Sequence, residues 1–211
     1  LHDRRGGLEL HNLAGPLAGP PQAENAAVAL TLAWVLNGLG FSVTEEHFRS
    51  GLAEAQWPGR AERFAAGSWP PEGSVAKAPL ILDGAHNPAG ARALAAMLET
   101  LKRLRLHVIL GVMADKDIGG VLGPILNLAD RIYLTRPVFS RAASPELLLE
   151  KIVSSLGQPT QPTTLHPSLP EAFRSAADEA VADDLVLLSC SLFTVGEGRA
   201  DLCGIAEVES N

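Results

Sequence analysis

Two polar side chains that could take part in chemistry, Asp83 and His86, directly follow a short apolar run at 80–82. The run predicts a buried strand because it is short and wholly apolar. Asn87 and Pro88 then predict the start of a helix, with Asn87 as its N-cap and Pro88 at the first helical position. Since ligands in open α/β sheets bind where strands end and helices begin, we expect a binding site at this turn.

Asp83 and Arg60 suit different parts of a nucleotide. A carboxylate at a helix N-terminus is stabilised by the helix dipole but repels phosphate, so Asp83 suits ribose hydroxyls or an adenine amino group. A guanidinium binds phosphate oxygens in pairs and keeps its charge, which suits Arg60 to the phosphates. Each residue also has an ordinary structural alternative, since Asp83 could cap its own turn and Arg60 could be a solvated linker residue.

His86 and Lys116 are the candidate catalytic residues. An imidazole can donate a hydrogen bond to a phosphate or acyl-phosphate oxygen, although a lone loop histidine is usually structural. Lys116 follows a second predicted strand and is expected at the same sheet edge as Asp83, where it could meet a carboxylate or a phosphate. Asp117 is at least as well suited to cap the next helix. Asp115, Asp117 and His107 do not have the spacing of a metal site, and we predict no metal ligands.

Alternating strands and helices must position these residues, and they predict an α/β fold with a mostly parallel sheet and helices on both faces. The first part of the chain instead predicts two helices, one from Gln22 to Asn37 and one that Thr44 caps. His47 stands where a capping box would have Glu or Gln, so no capping box is predicted there. Predicted strands are 79–82, 106–110, 131–135, 161–165 and 184–189, and predicted helices between them are 88–103, 118–128, 145–155 and 169–181.

The composition argues against nucleic-acid-binding, membrane-spanning and disulfide-rich classes of protein. The chain has 211 residues, 46% of them hydrophobic, and a net charge of −7, which argues against a nucleic-acid partner. No apolar run is long enough for a membrane span, so we expect no membrane partner. The two cysteines do not make a disulfide framework, which predicts a reducing, cytoplasmic location. The chain begins with Leu1 rather than Met, and we expect it to be a fragment.

Several short motifs resemble those of the folylpolyglutamate synthases and bifunctional dihydrofolate synthases of the Mur ligase superfamily. The hexapeptide DGAHNP at 83–88 resembles the family signature, WPGR at 57–60 its linker element, and MADKD at 113–117 its DKD element. Residues 22–29 are similar to HQxxNAxxA, with Pro21 in place of the usual His. Residues 189–197 resemble the family's GSxYxVGE ending, with Cys190 in place of the usual Gly.

The resemblance implies roles for these residues. Asn25, Arg60 and Asp83 would contact ATP, and His86 and Lys116 would lie near the reacting groups. Ser189 and Ser191 are candidate substrate-binding residues. From the residues alone, Asn25 could equally hydrogen-bond the unpaired main-chain groups at the start of its own helix. The Cys190 thiol is expected to be buried and inert, because no His and Asx partners activate it.

The resemblance also implies a function and a domain layout. Residues 1–57 would end a central ATPase domain, 58–78 would form a linker, and 79–211 would be the Mur ligase C-terminal α/β domain. The whole enzyme, expected to be a monomer, would use MgATP to join L-glutamate to folate or dihydropteroate through an acyl phosphate. No G-x-x-x-x-G-K-[ST] loop occurs in the sequence, so we expect this chain to be inactive alone. The alternative is a non-catalytic nucleotide- or anion-binding module that docks to a partner protein.

Overall fold

The computed structural model describes residues 9–15, 20–70 and 75–205, which divide into two compact units, Leu1–Pro58 and Gly59–Asn211. The first unit contains two helices, α1 (Pro20–Asn37) and α2 (Glu45–Ala53). The strands of the second unit are β1 (Glu62–Phe64), β2 (Leu80–Asp83), β3 (Leu106–Leu110), β4 (Arg131–Thr135), β5 (Thr163–His166) and β6 (Leu185–Ser189). Its helices are α3 (Pro88–Glu99), α4 (Ile118–Leu126), α5 (Pro145–Leu156), α6 (Leu169–Glu179) and α7 (Leu192–Cys203).

The first unit has a small core of its own, in which Leu10, Leu30 and Phe48 are buried. The α2 helix begins after Thr44, whose hydroxyl accepts a hydrogen bond from the His47 N–H at 3.4 Å. The His47 Nδ1 accepts in return from the Thr44 N–H at 3.2 Å. The prediction that this pair forms no capping box is therefore wrong, because an imidazole nitrogen can accept the hydrogen bond that a glutamate usually accepts.

A six-stranded sheet in the order β1-β2-β6-β3-β4-β5 forms the centre of the second unit. The β1 strand is antiparallel to β2, and the other neighbouring strands are parallel. The predicted α/β fold with a mostly parallel sheet is therefore confirmed. The strands 106–110 and 131–135 also have the predicted bounds.

Helices cover both faces of this sheet, as predicted. On one face, α3, α4 and α5 bury Leu94, Leu122 and Ile152 against the strands. On the other face, α6 and α7 bury Phe173 and Val195. This arrangement leaves the carboxyl ends of β2, β6 and β3 side by side at one edge of the sheet.

Two elements of the second unit are absent from the sequence predictions. The β1 strand lies within the segment predicted as a linker, and Trp69 from the same segment is fully buried in the second unit. The α7 helix follows the last strand, where glycines at 196 and 198 weaken the helical pattern. Its ends nevertheless carry recognisable signals, because Ser191 is the N-cap and Gly204 ends the helix with φ of +61°.

No helix within the described ranges is both long and apolar enough to cross a lipid bilayer.

Candidate functional site

Asp83 and Ser189 end neighbouring strands at the carboxyl edge of the sheet. They are partners in the parallel register of β2 and β6, and the Ser189 hydroxyl donates to the Asp83 main-chain carbonyl at 2.8 Å. Ser189 is fully buried. Its hydroxyl therefore joins two strand ends, whether or not it also meets a substrate as predicted.

The Asp83 carboxylate is bonded to main-chain amides on both sides. Its Oδ2 accepts from the Ala61 N–H at 2.9 Å, and its Oδ1 accepts from the Ala85 N–H at 2.8 Å. Burial raises the pKa of Asp83, although both amides and the nearby Arg60 oppose this shift. A carboxylate oxygen has more than one lone pair, so these bonds leave Asp83 able to accept from a ligand as well.

The turn that contains Gly59 and Arg60 is hydrogen-bonded to the turn that begins at Asp83. The Gly84 N–H donates to the Gly59 carbonyl at 2.8 Å. A Cβ at Gly84 would lie 3.5 Å from the Arg60 Nη1 and 2.5 Å from the Leu192 Cδ2, so the guanidinium and α7 both pack against this glycine. The structure therefore brings Arg60 and Asp83 together, although β1 and the segment that follows it separate them in the sequence.

His86 is half-buried and makes a hydrogen bond inside the same turn. Its Nδ1 lies 2.8 Å from the Gly84 carbonyl oxygen. Since a carbonyl only accepts, Nδ1 carries the proton and Nε2 of the neutral ring is an acceptor. His86 can then donate from Nε2 to a phosphate oxygen only as an imidazolium. Asn87 caps α3 as predicted, with its Oδ1 accepting from the Gly90 N–H at 2.8 Å.

Lys116 lies in the loop after β3, at the same edge of the sheet as Asp83. Its side chain is half-buried, and its N–H donates to the Met113 carbonyl at 3.3 Å. Asp117 caps α4 by accepting from the Gly120 N–H at 3.1 Å, as expected. The exposed Asp115 lies 3.8 Å from Arg141, in an ion pair.

The start of α7 supplies Ser191, the second candidate substrate-binding serine. Its Oγ is the N-cap acceptor for the Thr194 N–H at 3.4 Å, and the side chain is buried. Cys190, directly before it, has φ of +77°, a conformation that glycine adopts most easily. The glycine that the resemblance leads us to expect at this position would adopt this conformation without strain. Burial raises the pKa of the Cys190 thiol to about 12, which agrees with the expected inert thiol.

Asn25 belongs to the first unit, whereas the other candidate residues belong to the second. Its Nδ2 donates to the Gln22 Oε1 at 3.3 Å in the first turns of α1. Both side chains line a groove of about 810 Å³ in the first unit, together with His47 and Trp57.

Sequence reasoning missed Glu62 and Arg199, which also belong to this site. The Arg199 Nε lies 3.0 Å from each carboxylate oxygen of Glu62, and the Glu62 Oε2 accepts from the Gly59 N–H at 2.7 Å. The only local sequence signal for Glu62 is that its carboxylate follows closely after the Pro58-Gly59 turn. The two partners are 137 positions apart in the chain, so no local pattern reveals their pairing.

A metal site is not formed by the part of the chain that the structure describes. No group of three or more His, Cys, Asp or Glu side chains there is placed to hold a metal ion.

Comparison with known proteins agrees with these motifs. Residues 72–192 match the family model described as Mur ligase, glutamate ligase domain. A probable bifunctional folylpolyglutamate synthase/dihydropteroate synthase from Halobacterium salinarum is 36% identical over 87% of this chain and 20% of its own length. The dihydrofolate synthase/folylpolyglutamate synthase of Escherichia coli is 33% identical over 92% of this chain and 40% of its own length.

Solved structures show the same similarity. A bifunctional folylpolyglutamate synthase/dihydrofolate synthase from Yersinia pestis, complexed with AMPPNP and a Mn ion, has a TM-score of 0.73 at 30% identity and covers 94% of this chain. The Mycobacterium tuberculosis folylpolyglutamate synthase, complexed with ADP and AMPPCP, has a TM-score of 0.72 at 31% identity and covers 90%. In both comparisons this chain spans only 42% of the other protein.

Proposed function

Since the chain belongs to the Mur ligase family, through its glutamate ligase domain, we propose that it is the C-terminal part of an ATP-dependent amide ligase that adds L-glutamate to folate. The enzyme acts as a folylpolyglutamate synthase, either alone or together with a dihydrofolate synthase activity on dihydropteroate. The observation that carries the proposal is the hydrogen-bonded pair of turns that places Arg60 beside Asp83 at the carboxyl edge.

The reaction has two steps. A carboxylate oxygen of the folate or pteroate attacks the γ-phosphorus of ATP, which gives an acyl phosphate and ADP. The amine of glutamate then attacks the acyl carbon and loses a proton, phosphate leaves, and an amide remains. Water would hydrolyse the acyl phosphate, so the site has to be closed while the amine attacks.

Roles in this reaction follow from the chemistry of each side chain. Arg60 binds phosphate oxygens through its planar fork, and Asp83 accepts from a ribose hydroxyl or the adenine amino group. Asn25 is assigned to ATP binding by the resemblance of residues 22–29 to the family's motif. His86 and Lys116 lie near the reacting phosphate and carboxylate.

Ser189 and Ser191 are assigned to substrate binding through the start of α7. Both hydroxyls already hold main-chain groups, so any contact with glutamate or folate is made in addition to those bonds. MgATP comes to the site with its metal ligands supplied from outside the described residues. We place the whole protein in the cytoplasm, as a monomer.

Activity of the protein expressed from its full reading frame tests the proposal. The protein is incubated with MgATP, L-glutamate and either tetrahydrofolate or dihydropteroate, and the products are identified by mass spectrometry. We expect ADP and a product heavier by one glutamyl residue. ATP binding without product would instead favour a non-catalytic module, and no binding of ATP would contradict both the ligase and a nucleotide-binding module.

Arg60→Lys and Arg60→Ala test the phosphate contact within that assay. Lysine keeps the charge but loses the planar guanidinium that binds two oxygens at once, so we expect both variants to raise the KM for ATP. A lysine variant with the kcat/KM of the unsubstituted protein would contradict bidentate binding by Arg60.

A further inference from the structure

Carboxylates hold the main-chain amides on both sides of Arg60. The Gly59 N–H donates to the Glu62 Oε2 at 2.7 Å, and the Ala61 N–H donates to the Asp83 Oδ2 at 2.9 Å. Hydrogen bonds to a charged acceptor are stronger than those between neutral groups. The main chain of Arg60 is therefore fixed from two directions before any ligand binds.

The backbone at these positions needs that support. Gly59 has φ of +70° and Ala61 has φ of +46°, so two left-handed residues enclose Arg60. An alanine rarely adopts this conformation, and such residues occur where the surroundings hold them and often at functional sites.

Arg199 fixes the Glu62 carboxylate in turn. Its Nε lies 3.0 Å from both Glu62 oxygens, and the two side chains are only 29% and 23% exposed. Arg199 lies on α7, and a Cβ at Gly59 would lie 2.8 Å from the Val195 Cγ1 of the same helix. The turn around Arg60 is thus attached to α7 by an ion pair and by close packing.

We propose that Glu62, held in place by Arg199, is a positioning residue for Arg60. It keeps the 59–61 turn in the conformation that lays the guanidinium against Gly84, where the proposed function puts the ATP phosphates. This inference rests on that function, because the guanidinium has to meet a ligand for its position to matter. If Glu62 and Arg199 formed only an ordinary salt bridge, its removal would leave the binding of ATP unchanged.

A double-substitution cycle tests whether Glu62 acts through Arg60. In the protein expressed from its full reading frame, Glu62→Ala should raise the KM for ATP about tenfold, which corresponds to the loss of one charge-assisted hydrogen bond. Glu62→Gln keeps an oxygen that can accept from the Gly59 N–H, so it should raise the KM for ATP less than Glu62→Ala does. In an Arg60→Ala background, Glu62→Ala should change the KM for ATP by less than about twofold.

Equal fold-changes in the two backgrounds would overturn the inference, since Glu62 would then act independently of Arg60. So would an unchanged KM in Glu62→Ala. The matched control is Glu179→Gln, which removes a carboxylate from the Arg131–Glu179 pair of the same unit, 3.4 Å apart, and should leave the KM for ATP unchanged.

Amide hydrogen exchange separates failure of this inference from failure of the proposed function. If Arg60→Ala leaves the KM for ATP unchanged, the assigned phosphate contact is wrong, and the positioning is then judged by exchange alone. Glu62→Ala should accelerate exchange at the Gly59 amide by about tenfold or more, whereas Glu179→Gln should not. Unchanged exchange at Gly59 would overturn the positioning role. If Glu62→Ala does not fold, the KM for ATP and the exchange at the Gly59 amide are measured in Glu62→Gln and Arg199→Lys instead.

Discussion

Asp83 accepts hydrogen bonds from two main-chain amides, and this decides what a substitution there would do. The Ala61 amide belongs to the turn before β1, and the Ala85 amide belongs to the turn after β2. One carboxylate therefore fixes two segments at the carboxyl edge of the sheet. A ligand that binds at this residue meets a turn that is already in place.

Asp83→Ala should reduce both stability and nucleotide binding. Two partly buried amides lose their acceptor, which should lower the free energy of unfolding by about 1–3 kcal/mol. The KM for ATP should rise because Arg60 loses its support and the nucleotide loses an acceptor. Urea unfolding and ATP kinetics measure the two effects. Unchanged stability would show that solvent replaces the carboxylate at no cost.

His107 is a fully buried histidine at the opposite end of the sheet from the candidate site. Its Nε2 lies 3.1 Å from the Asp184 Oδ2, and its Nδ1 lies 2.9 Å from the Tyr133 hydroxyl. Arg105 also binds Asp184, at 2.8 Å. Burial lowers the pKa of His107, although the Asp184 hydrogen bond and charge oppose this shift. Burial lowers the pKa of His166 as well.

Stability of the second unit should therefore fall as the pH drops below about 6.5, the ordinary pKa of histidine. In the window between that value and the lowered pKa, the unfolded chain binds more protons than the folded one, so acid favours unfolding. His107→Gln, whose amide can meet both Asp184 and Tyr133, should reduce this slope. Urea unfolding between pH 8 and pH 5, followed by NMR signals of β3, measures it. An identical slope in the variant would contradict the assignment to His107.

At the scale of elements, α7 connects the candidate site to the rest of the second unit. Its first turn lies at the carboxyl edge, and its residue Gly198 packs against β6 and α6. A Cβ at Gly198 would lie 2.6 Å from the Leu188 Cδ2 and 3.1 Å from the Phe173 Cζ, and both of those side chains are buried. The glycine lets the helix approach the sheet closely.

Gly198→Ala should destabilise the second unit even though alanine favours helices. The extra methyl group should cost about 1–3 kcal/mol in a close-packed core, which exceeds the gain in helix propensity of about 1 kcal/mol. Gly196→Ala is the matched control in the same helix, because no atom lies within 4 Å of its added Cβ. It should stabilise by about 0.5–1 kcal/mol. Thermal unfolding compares the two, and equal effects would contradict close packing at Gly198.

At the scale of the whole molecule, the two units differ in how much apolar surface they bury. Among the described residues, the core of the first unit consists of Leu10, Leu30 and Phe48, whereas the second unit has a large apolar cluster on each face of its sheet. The α1 helix also exposes an apolar stripe at helical spacing, made of Val28, Leu32, Val35 and Leu36. An apolar stripe on a helix normally packs against another part of the protein.

Hydrogen exchange on the purified chain should therefore be fast across 22–55 and slow across 80–110. Local opening needs less free energy where fewer apolar contacts are buried. The same chain should show no ATP turnover, because its sequence contains no Gly-rich loop with lysine for the β- and γ-phosphates. Equal protection in α1 and β3 would contradict the difference in stability. Mg²⁺-dependent ATP hydrolysis by this chain would show that we have assigned the catalytic groups to the wrong part of the enzyme.

The sequence by itself determined the features that depend on neighbouring residues. Asn87 and Asp117 are predicted as helix caps, and each side chain accepts a hydrogen bond from the main-chain N–H three residues further along. The strands 106–110 and 131–135 are predictable because buried strands are short runs of mostly apolar residues. Alternation of such strands with helices was enough to predict the parallel sheet.

Only the tertiary structure decided how distant parts of the chain meet. The insertion of β6 between β2 and β3 places Ser189 beside Asp83. The pairing of Arg199 with Glu62 and the left-handed backbone at Cys190 also depend on contacts with the rest of the second unit. Such contacts join residues that are far apart in the chain, so no local pattern specifies them. The position of Arg60 against Gly84 is therefore a property of the packed sheet and α7, not of the motif that contains it.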